Sequence, residues 1–116
     1  MKWYLAKLVY RIMLSNGDHK PQFDEQLRLI CAEDDLHAFH KARLVGENEQ
    51  IDEITKIVKW KFIDVSELHL LSEMTDGAEI YSRVMEEDNA EKYINLTQKR
   101  ASQLLQMGLH KFTGLN

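Results

Sequence analysis

Apolar and polar positions recur along the chain in two successive blocks, and each block predicts two strands followed by a helix. Residues 3–32 alternate with the period of two that strands show, and residues 35–45 carry apolar positions at helical spacing. The same order returns in residues 55–86 and 89–107. The pattern predicts an α+β fold of ββαββα order, with a four-stranded, mainly antiparallel sheet and helices packed on it. A β-grasp-like mixed sheet is the alternative, because that topology also suits a ββαββ order.

The first predicted strand is apolar on nearly both of its sides. One side carries only apolar residues from Tyr4 to Leu14, and the other side is interrupted by Lys7 and Arg11. A strand that is apolar on both sides is usually covered on both faces. We therefore expect this segment to be the central strand of the sheet, with a turn after it at Asn16-Gly17.

The second strand and the first helix are delimited by polar residues and a glycine. The strand alternates with one apolar side, which predicts that this side faces the core and includes the only cysteine; its members are Phe23, Leu27, Leu29 and Cys31. Asp34 or Asp35 is placed to cap the helix, and Gly46 is placed to end it.

The second block predicts a long strand, a hairpin and a second helix. Residues 55–71 exceed an average strand, so we expect a bend near residues 64–67. A turn at Asp76-Gly77 leads into a fourth strand whose alternating positions are Ala78, Ile80, Ser82 and Val84. Asp88 and Glu91 have the spacing of a capping box for a helix that ends at Gly108. The predicted buried stripe is Ala90, Ile94, Thr97, Ala101, Leu104 and Leu105. Leu96 and Met107 lie outside it, and they are either an oligomer contact or apolar residues scattered on the surface, which are also normal.

Composition indicates an ordinary globular protein. The 116 residues predict a single α+β domain over residues 1–116. Because one cysteine forms no internal disulfide, and no apolar run approaches the ~20 residues of a membrane span, we expect a cytoplasmic protein with no membrane partner. The net charge of −4 argues against nucleic acid, since the one basic cluster, Lys56, Lys59 and Lys61, has Trp60 on the opposite strand side.

The sequence lacks the motifs that are typical of catalytic sites. His37 and His40 lie three residues apart without a third ligand, so we predict no metal site. The five glycines form no phosphate-binding loop, and no nucleophile has a neighbouring base. We therefore predict no catalytic residues and no cofactor.

A few polar residues nevertheless lie within apolar segments. Lys7 lies in the first strand, Glu25 on the apolar side of the second, and Glu79 at the start of the fourth. If they share one sheet face, they can form a polar centre in an aromatic pocket that binds a small molecule. The candidate walls of that pocket are Trp3, Tyr10 and Trp60.

Several short motifs together resemble a known family. The chain opens with a W-Y-x-x-K-L pattern at residues 3–8, followed by FDEQ at 23–26, AFHKA at 38–42, WKF at 60–62 and DGAEIYSR at 76–83. In combination they are similar to a family of short bacterial proteins classed as a domain of unknown function. The resemblance covers about residues 3–86 and implies a compact α+β protein without a known activity.

These observations lead to two functional hypotheses. The first is a non-enzymatic binding or interaction module that self-associates, as a homo-oligomer such as a dimer. The alternative is a small enzyme or small-molecule sensor whose pocket lies near Lys7, Glu25 and Glu79.

Overall fold

Three strands and two helices make up the part of the chain that the computed structural model describes, residues 1–14, 19–50 and 57–114. In chain order they are β1 (Lys2–Leu14), β2 (Gln22–Ala32), α1 (Asp35–Asn48), β3 (Val58–Leu71) and α2 (Ala90–Gly114). Contacts divide the chain into two units, Met1–Ser82 and Arg83–Asn116. The single domain over residues 1–116 stays a prediction. The predicted turn at Asn16-Gly17, and Thr55 and Lys56 of the predicted third strand, lie outside the described residues.

The sheet has the order β2-β1-β3, and both pairings are antiparallel. β1 is therefore the central strand, as its two-sided apolar pattern predicts. β2 pairs with it without a register shift, from Lys2 opposite Ala32 to Ile12 opposite Gln22. This regular ladder fixes which side chains share each face of the sheet.

The prediction of a four-stranded sheet in ββαββα order is wrong, and so is the β-grasp-like alternative, because the described strands number three and pair only antiparallel. The turn at Asp76-Gly77 does form: Gly77 has a φ of +83°, and the Ala78 N–H donates to the Thr75 carbonyl at 3.0 Å. β3 ends at Leu71, however, several residues before that turn, so the residues after it do not return in register with β3. Apolar and polar residues alternate in residues 78–86, but no strand pairs with this segment, and it is irregular.

Two irregularities interrupt the pairing of β3 with β1. Lys7 lies opposite Glu67 whereas Leu8 lies opposite Val65, which leaves Ser66 as an extra residue. Ile63 is extra in the same way, between Asp64 and Phe62. Such bulges bend a strand and increase its twist. They lie where the length of this strand led us to expect a bend.

The core forms between α1 and one face of the sheet. β1 contributes Tyr4, Ala6, Leu8 and Tyr10, and β2 contributes Ile30 and Ala32. α1 covers them with a stripe of small residues one turn apart, Ala38, Ala42 and Gly46. Each large buried side chain contributes about 1.5–3 kcal/mol to stability. Small residues on the helix and large ones on the strand bring the two elements close together.

Gly46 lies within α1 and does not end it, because the helix continues to Asn48. A Cβ atom at Gly46 would lie 2.5 Å from Cζ and 2.6 Å from Cδ1 of Phe62. The Tyr10 hydroxyl donates to the Gly46 carbonyl at 2.9 Å, and the Tyr10 and Phe62 rings pack with centroids 5.4 Å apart. The glycine is therefore required for the close approach of helix and sheet.

Helix capping follows the sequence in α1 and differs from it in α2. Asp34 is the N-cap of α1, and its carboxylate accepts from the His37 N–H at 2.8 Å. In α2 the corresponding bond runs from the Lys92 N–H to the Asn89 side chain, at 3.0 Å, so Asn89 replaces the predicted Asp88.

The second unit by itself consists of α2 and the irregular residues before it. α2 runs past Gly108, the predicted end, to Gly114. Ile94, Leu104 and Leu105, which the stripe predicts to be buried, are exposed. Among the described residues, no helix has both the length and the apolarity needed to cross a membrane.

The apolar side of β2 faces away from the core, contrary to prediction. Phe23 is 56% exposed, Leu27 54% and Leu29 52%, and Cys31 is half-buried. The physical reason is that α1 packs on the other side of the strand, where Ile30 and Ala32 are buried. Alternation identifies two sides of a strand but not which side the helix covers.

The same substitution at two helical glycines should have opposite effects. We expect Gly46→Ala to lower the free energy of unfolding by about 1–3 kcal/mol, because the new methyl group meets the Phe62 ring. Gly108→Ala is the matched control: it meets nothing within 4 Å and should raise stability by up to about 1 kcal/mol. Urea unfolding followed by circular dichroism measures both.

A smaller side chain at position 62 should relieve the steric clash that Gly46→Ala introduces. In the Gly46→Ala background, Phe62→Leu should cost less stability than in the wild-type background, with a coupling of about 0.5–3 kcal/mol. Additive losses in this double-mutant cycle would show that the glycine is not required by the Phe62 ring.

Candidate functional site

The face of the sheet that turns away from α1, called here the second face, carries a mixture of apolar and ionisable side chains. Directly opposed residues point to the same side of a sheet, so the pairings define its membership. β1 contributes Trp3, Leu5, Lys7, Val9 and Arg11, β2 contributes Phe23, Glu25, Leu27, Leu29 and Cys31, and β3 contributes Lys61, Glu67, His69 and Leu71.

An ionisable group, the Lys7 cluster, lies on this second face and consists of Lys7, Glu25, Glu67, His69 and Tyr81. The Lys7 ammonium lies 2.5 Å from a Glu67 carboxylate oxygen and 3.7 Å from one of Glu25. Lys7 comes from the central strand, and the two carboxylates come from the strands on either side of it. The cluster therefore joins all three strands.

The Lys7 ammonium is held in its charged form. Its side chain is only 16% exposed, and an ammonium withdrawn from water requires charged or polar partners. The hydrogen bond from Lys7 lowers the pKa of Glu67, with a further contribution from His69. The same bond to Glu67 raises the pKa of Lys7 against the opposing effect of burial.

His69 and Tyr81 complete the cluster on the side of β3. A His69 ring nitrogen lies 3.2 Å from one Glu67 oxygen, and the Tyr81 hydroxyl donates to the same oxygen at 3.4 Å. The two rings meet edge to face with centroids 5.3 Å apart, and the Lys7 ammonium lies 6.0 Å from the centroid of the Tyr81 ring. The segment after β3 therefore contacts the second face of the sheet through the Tyr81 side chain.

The residues that the sequence singled out fall in three places. Lys7 and Glu25 lie together, and Trp3 lies on the same face of β1, four residues from Lys7. Tyr10 and Trp60 belong to the opposite, helix-covered side of the sheet. Glu79 is exposed in the irregular segment that follows the turn.

Sequence reasoning missed Glu67, His69 and Tyr81. A signal for the first two exists: they are two residues apart in a predicted strand and therefore share one side of it. The pairing of that side with Lys7 depends on the bulge at Ser66, which the sequence does not specify. Tyr81 belongs to the predicted fourth strand, which does not form.

The chemistry that this cluster supports is polar binding. A lysine that acts as a nucleophile needs a lowered pKa, whereas that of Lys7 is raised. Within the described ranges, no group of three His, Cys, Asp or Glu side chains can hold a metal ion. His37 and His40 have other roles, since the His37 ring accepts from the Glu33 N–H and His40 packs against Phe39.

A second ion pair lies where α1 meets β3. Arg43 donates twice to Asp64, at 2.9 and 2.8 Å, and its guanidinium lies 4.4 Å from the centroid of the Phe39 ring. The two bonds from Arg43, together with one from the Val65 N–H, lower the pKa of Asp64. The Gln50 side chain accepts from the Phe62 N–H nearby. These contacts fix the helix to the bulged strand.

The helix side of β2 carries a row of polar side chains beyond the core. Arg28 donates to the Gln26 side chain and to Glu49, and Gln26 donates to Asp24 at 2.6 Å. The Trp60 indole N–H donates to the same Asp24 oxygen at 3.2 Å. Trp60 therefore takes part in packing and in this polar row.

Comparison with known families gives one result. A family model described as a domain of unknown function, DUF4288, matches residues 3–82, more than half of the 116-residue chain. The resemblance to an uncharacterised domain family, drawn from the strand motifs, is confirmed. Comparison with curated proteins and with solved structures gave no match.

Removing the Lys7 ammonium should destabilise the fold in a pH-dependent way. The stabilisation by Glu67 is fully present above pH 4.5, the ordinary pKa of this carboxyl, and is lost as the pH falls through its lowered value. We therefore expect Lys7→Met to lower the free energy of unfolding most at neutral pH, with the difference from wild type shrinking on acidification.

Urea unfolding from neutral pH to below pH 4.5 measures this difference. Lys61→Met, at an exposed position of β3, is the matched control and should show little effect at any pH. A Lys7→Met deficit that stays constant with pH would mean that the lysine acts through packing of its carbon chain alone.

Proposed function

We propose that this chain, which belongs to the DUF4288 family, a domain of unknown function, is a non-enzymatic interaction module that self-associates. One observation carries the proposal: Phe23, Leu27 and Leu29 form a row on β2, and each is more than half exposed. The row lies on the second face, beside the exposed ring of Trp3 on β1. Glu25 lies in this row between Phe23 and Leu27, and exposed apolar side chains grouped on one face mark interaction surfaces.

The energetics of this row favour a buried contact. Burial of one leucine or phenylalanine side chain contributes about 1.5–3 kcal/mol. Because Phe23, Leu27 and Leu29 are only about half exposed, each contributes about half of this amount when it is covered. Three such residues on each of two copies supply part of the free energy that a micromolar complex requires, about 8 kcal/mol. A two-fold dimer is the commonest way in which one surface meets its own copy.

The Lys7 cluster supports a binding role over an enzymatic one. Its ammonium is neutralised by Glu67 and Glu25, and its raised pKa keeps it protonated. An interaction module needs no activated nucleophile, and a fixed ion pair among apolar side chains gives a surface specificity for its partner.

A second candidate function, small-molecule sensing at the Lys7 cluster, is supported by the convergence of polar groups from three strands. It predicts that freshly purified protein retains a small molecule, seen by native mass spectrometry as an added mass. That mass should be lost in Lys7→Met and kept in Lys61→Met. Absence of any added mass from the wild-type protein would count against this function.

We also propose a cytoplasmic location in a bacterium. The sequence motifs resemble those of short bacterial proteins, and a single cysteine, which forms no internal disulfide, suits a reducing compartment.

A charge placed in the exposed row should weaken self-association. We expect Leu27→Glu to raise the dissociation constant of the dimer about tenfold or more, because a carboxylate would lose its water in the contact. Leu44→Glu is the matched control, since Leu44 is 58% exposed on α1, away from the second face. Light scattering across micromolar concentrations measures both variants beside the wild-type protein.

The control variant should associate like the wild type. A wild-type protein that is monomeric throughout this concentration range would remove the proposed function. Equal weakening by Leu27→Glu and Leu44→Glu would show that the β2 row is not the contact.

A further inference from the structure

The two edge strands of the sheet differ in how open they are to a new strand. β3 carries two bulges, which interrupt its ladder and protect an edge against pairing. β2 is regular over its whole length, and its one proline neighbour, Pro21, precedes the strand. Among the described strands, β2 is paired on one side only. A long, regular edge with exposed apolar side chains is a site for strand addition.

The side chains of β2 are complementary to a second, reversed copy of themselves. If two β2 strands run antiparallel about a two-fold axis at Gln26, Asp24 of each copy lies opposite Arg28 of the other. This pairing would add to the bonds that Arg28 makes to Glu49, and Asp24 to Trp60, within each chain. Phe23 then lies opposite Leu29, and Glu25 opposite Leu27. Opposite charges and aromatic–aliphatic pairs at directly opposed positions stabilise a sheet.

Neighbouring registers lack this complementarity. An axis at Glu25 places its carboxylate opposite its own copy, and an axis at Asp24 or at Arg28 does the same with those charges. Like charges at opposed positions destabilise a pair of strands. An axis at Leu27 removes both pairs between Asp24 and Arg28. The pattern of charges therefore selects Gln26 as the centre.

We infer that two copies of this chain pair antiparallel along β2 about Gln26 and form one continuous six-stranded sheet. This inference rests on the proposed self-association and names its geometry. It brings the exposed rows of Phe23, Leu27 and Leu29 of the two copies side by side on one face. Opposed side chains of the two rows then cover each other in part along the new strand pair, and the free backbone groups of both β2 edges are paired.

A charge exchange tests the register directly. Arg28→Asp and Asp24→Arg each place like charges opposite one another in their own homodimer, so each variant alone should dissociate about tenfold more readily than wild type. Mixed together, the two variants restore both opposite-charge pairs. Random pairing would make half of all dimers heterodimers, so native mass spectrometry of an equimolar mixture should show a heterodimer share well above one half. Circular dichroism confirms that each variant is folded.

A crosslink provides a second test that does not disturb the charges. Gln26→Cys in a Cys31→Ser background places two thiols opposite each other, with Cβ atoms about 4.5–5.5 Å apart. A short thiol-reactive crosslinker should then give covalent dimers. Ser66→Cys, on an exposed position of β3 in the same background, is the matched control and should give none.

The outcomes separate this inference from the function on which it rests. A wild-type dimer whose charge variants associate as it does, or fail to recover on mixing, overturns the β2 pairing and leaves self-association intact. A wild-type dimer that crosslinks at Ser66→Cys and not at Gln26→Cys has the same meaning. A wild-type protein that is monomeric at all concentrations overturns both.

Discussion

The close approach of α1 to the central strand is the constraint on which the rest of the structure depends. It is possible because the helix presents Ala38, Ala42 and Gly46 to a strand that presents large side chains. The contact is closed by the Tyr10 hydroxyl on the Gly46 carbonyl and by the Phe62 ring, which occupies the space a side chain on Gly46 would need. Because α1 covers only one face of the sheet, the side chains of β1 on the second face must be buried or paired by residues outside α1.

The Lys7 cluster follows from that requirement. A lysine at the centre of a three-stranded sheet is withdrawn from water, and carboxylates on both neighbouring strands compensate for its lost hydration. Glu67 reaches it because the bulge at Ser66 sets the register of β3. Around this cluster the β2 row remains exposed, so the same face combines a fixed charge centre with an apolar surface.

Much of this arrangement could be predicted from the sequence, and the remainder could not for identifiable reasons. The two-sided apolar pattern of β1 is a local property, as is the carboxylate of Asp34 before α1, and both predictions are confirmed. The prediction of a fourth strand is wrong because alternation of apolar and polar residues does not provide a neighbouring strand to pair with. The pairing of Lys7 with Glu25 follows from strand alternation, whereas its contact with Glu67 depends on a bulge and that with Tyr81 on an irregular segment.

The bulges of β3 have a consequence for the size of any assembly. In a sheet joined through β2, both outermost strands are copies of β3, and each has an extra residue at Ile63 and at Ser66. A further strand cannot follow a ladder whose spacing is broken twice, so growth ends once two chains have joined. In such a dimer one edge of each chain pairs and the other terminates the sheet, and this asymmetry would prevent open-ended fibre formation.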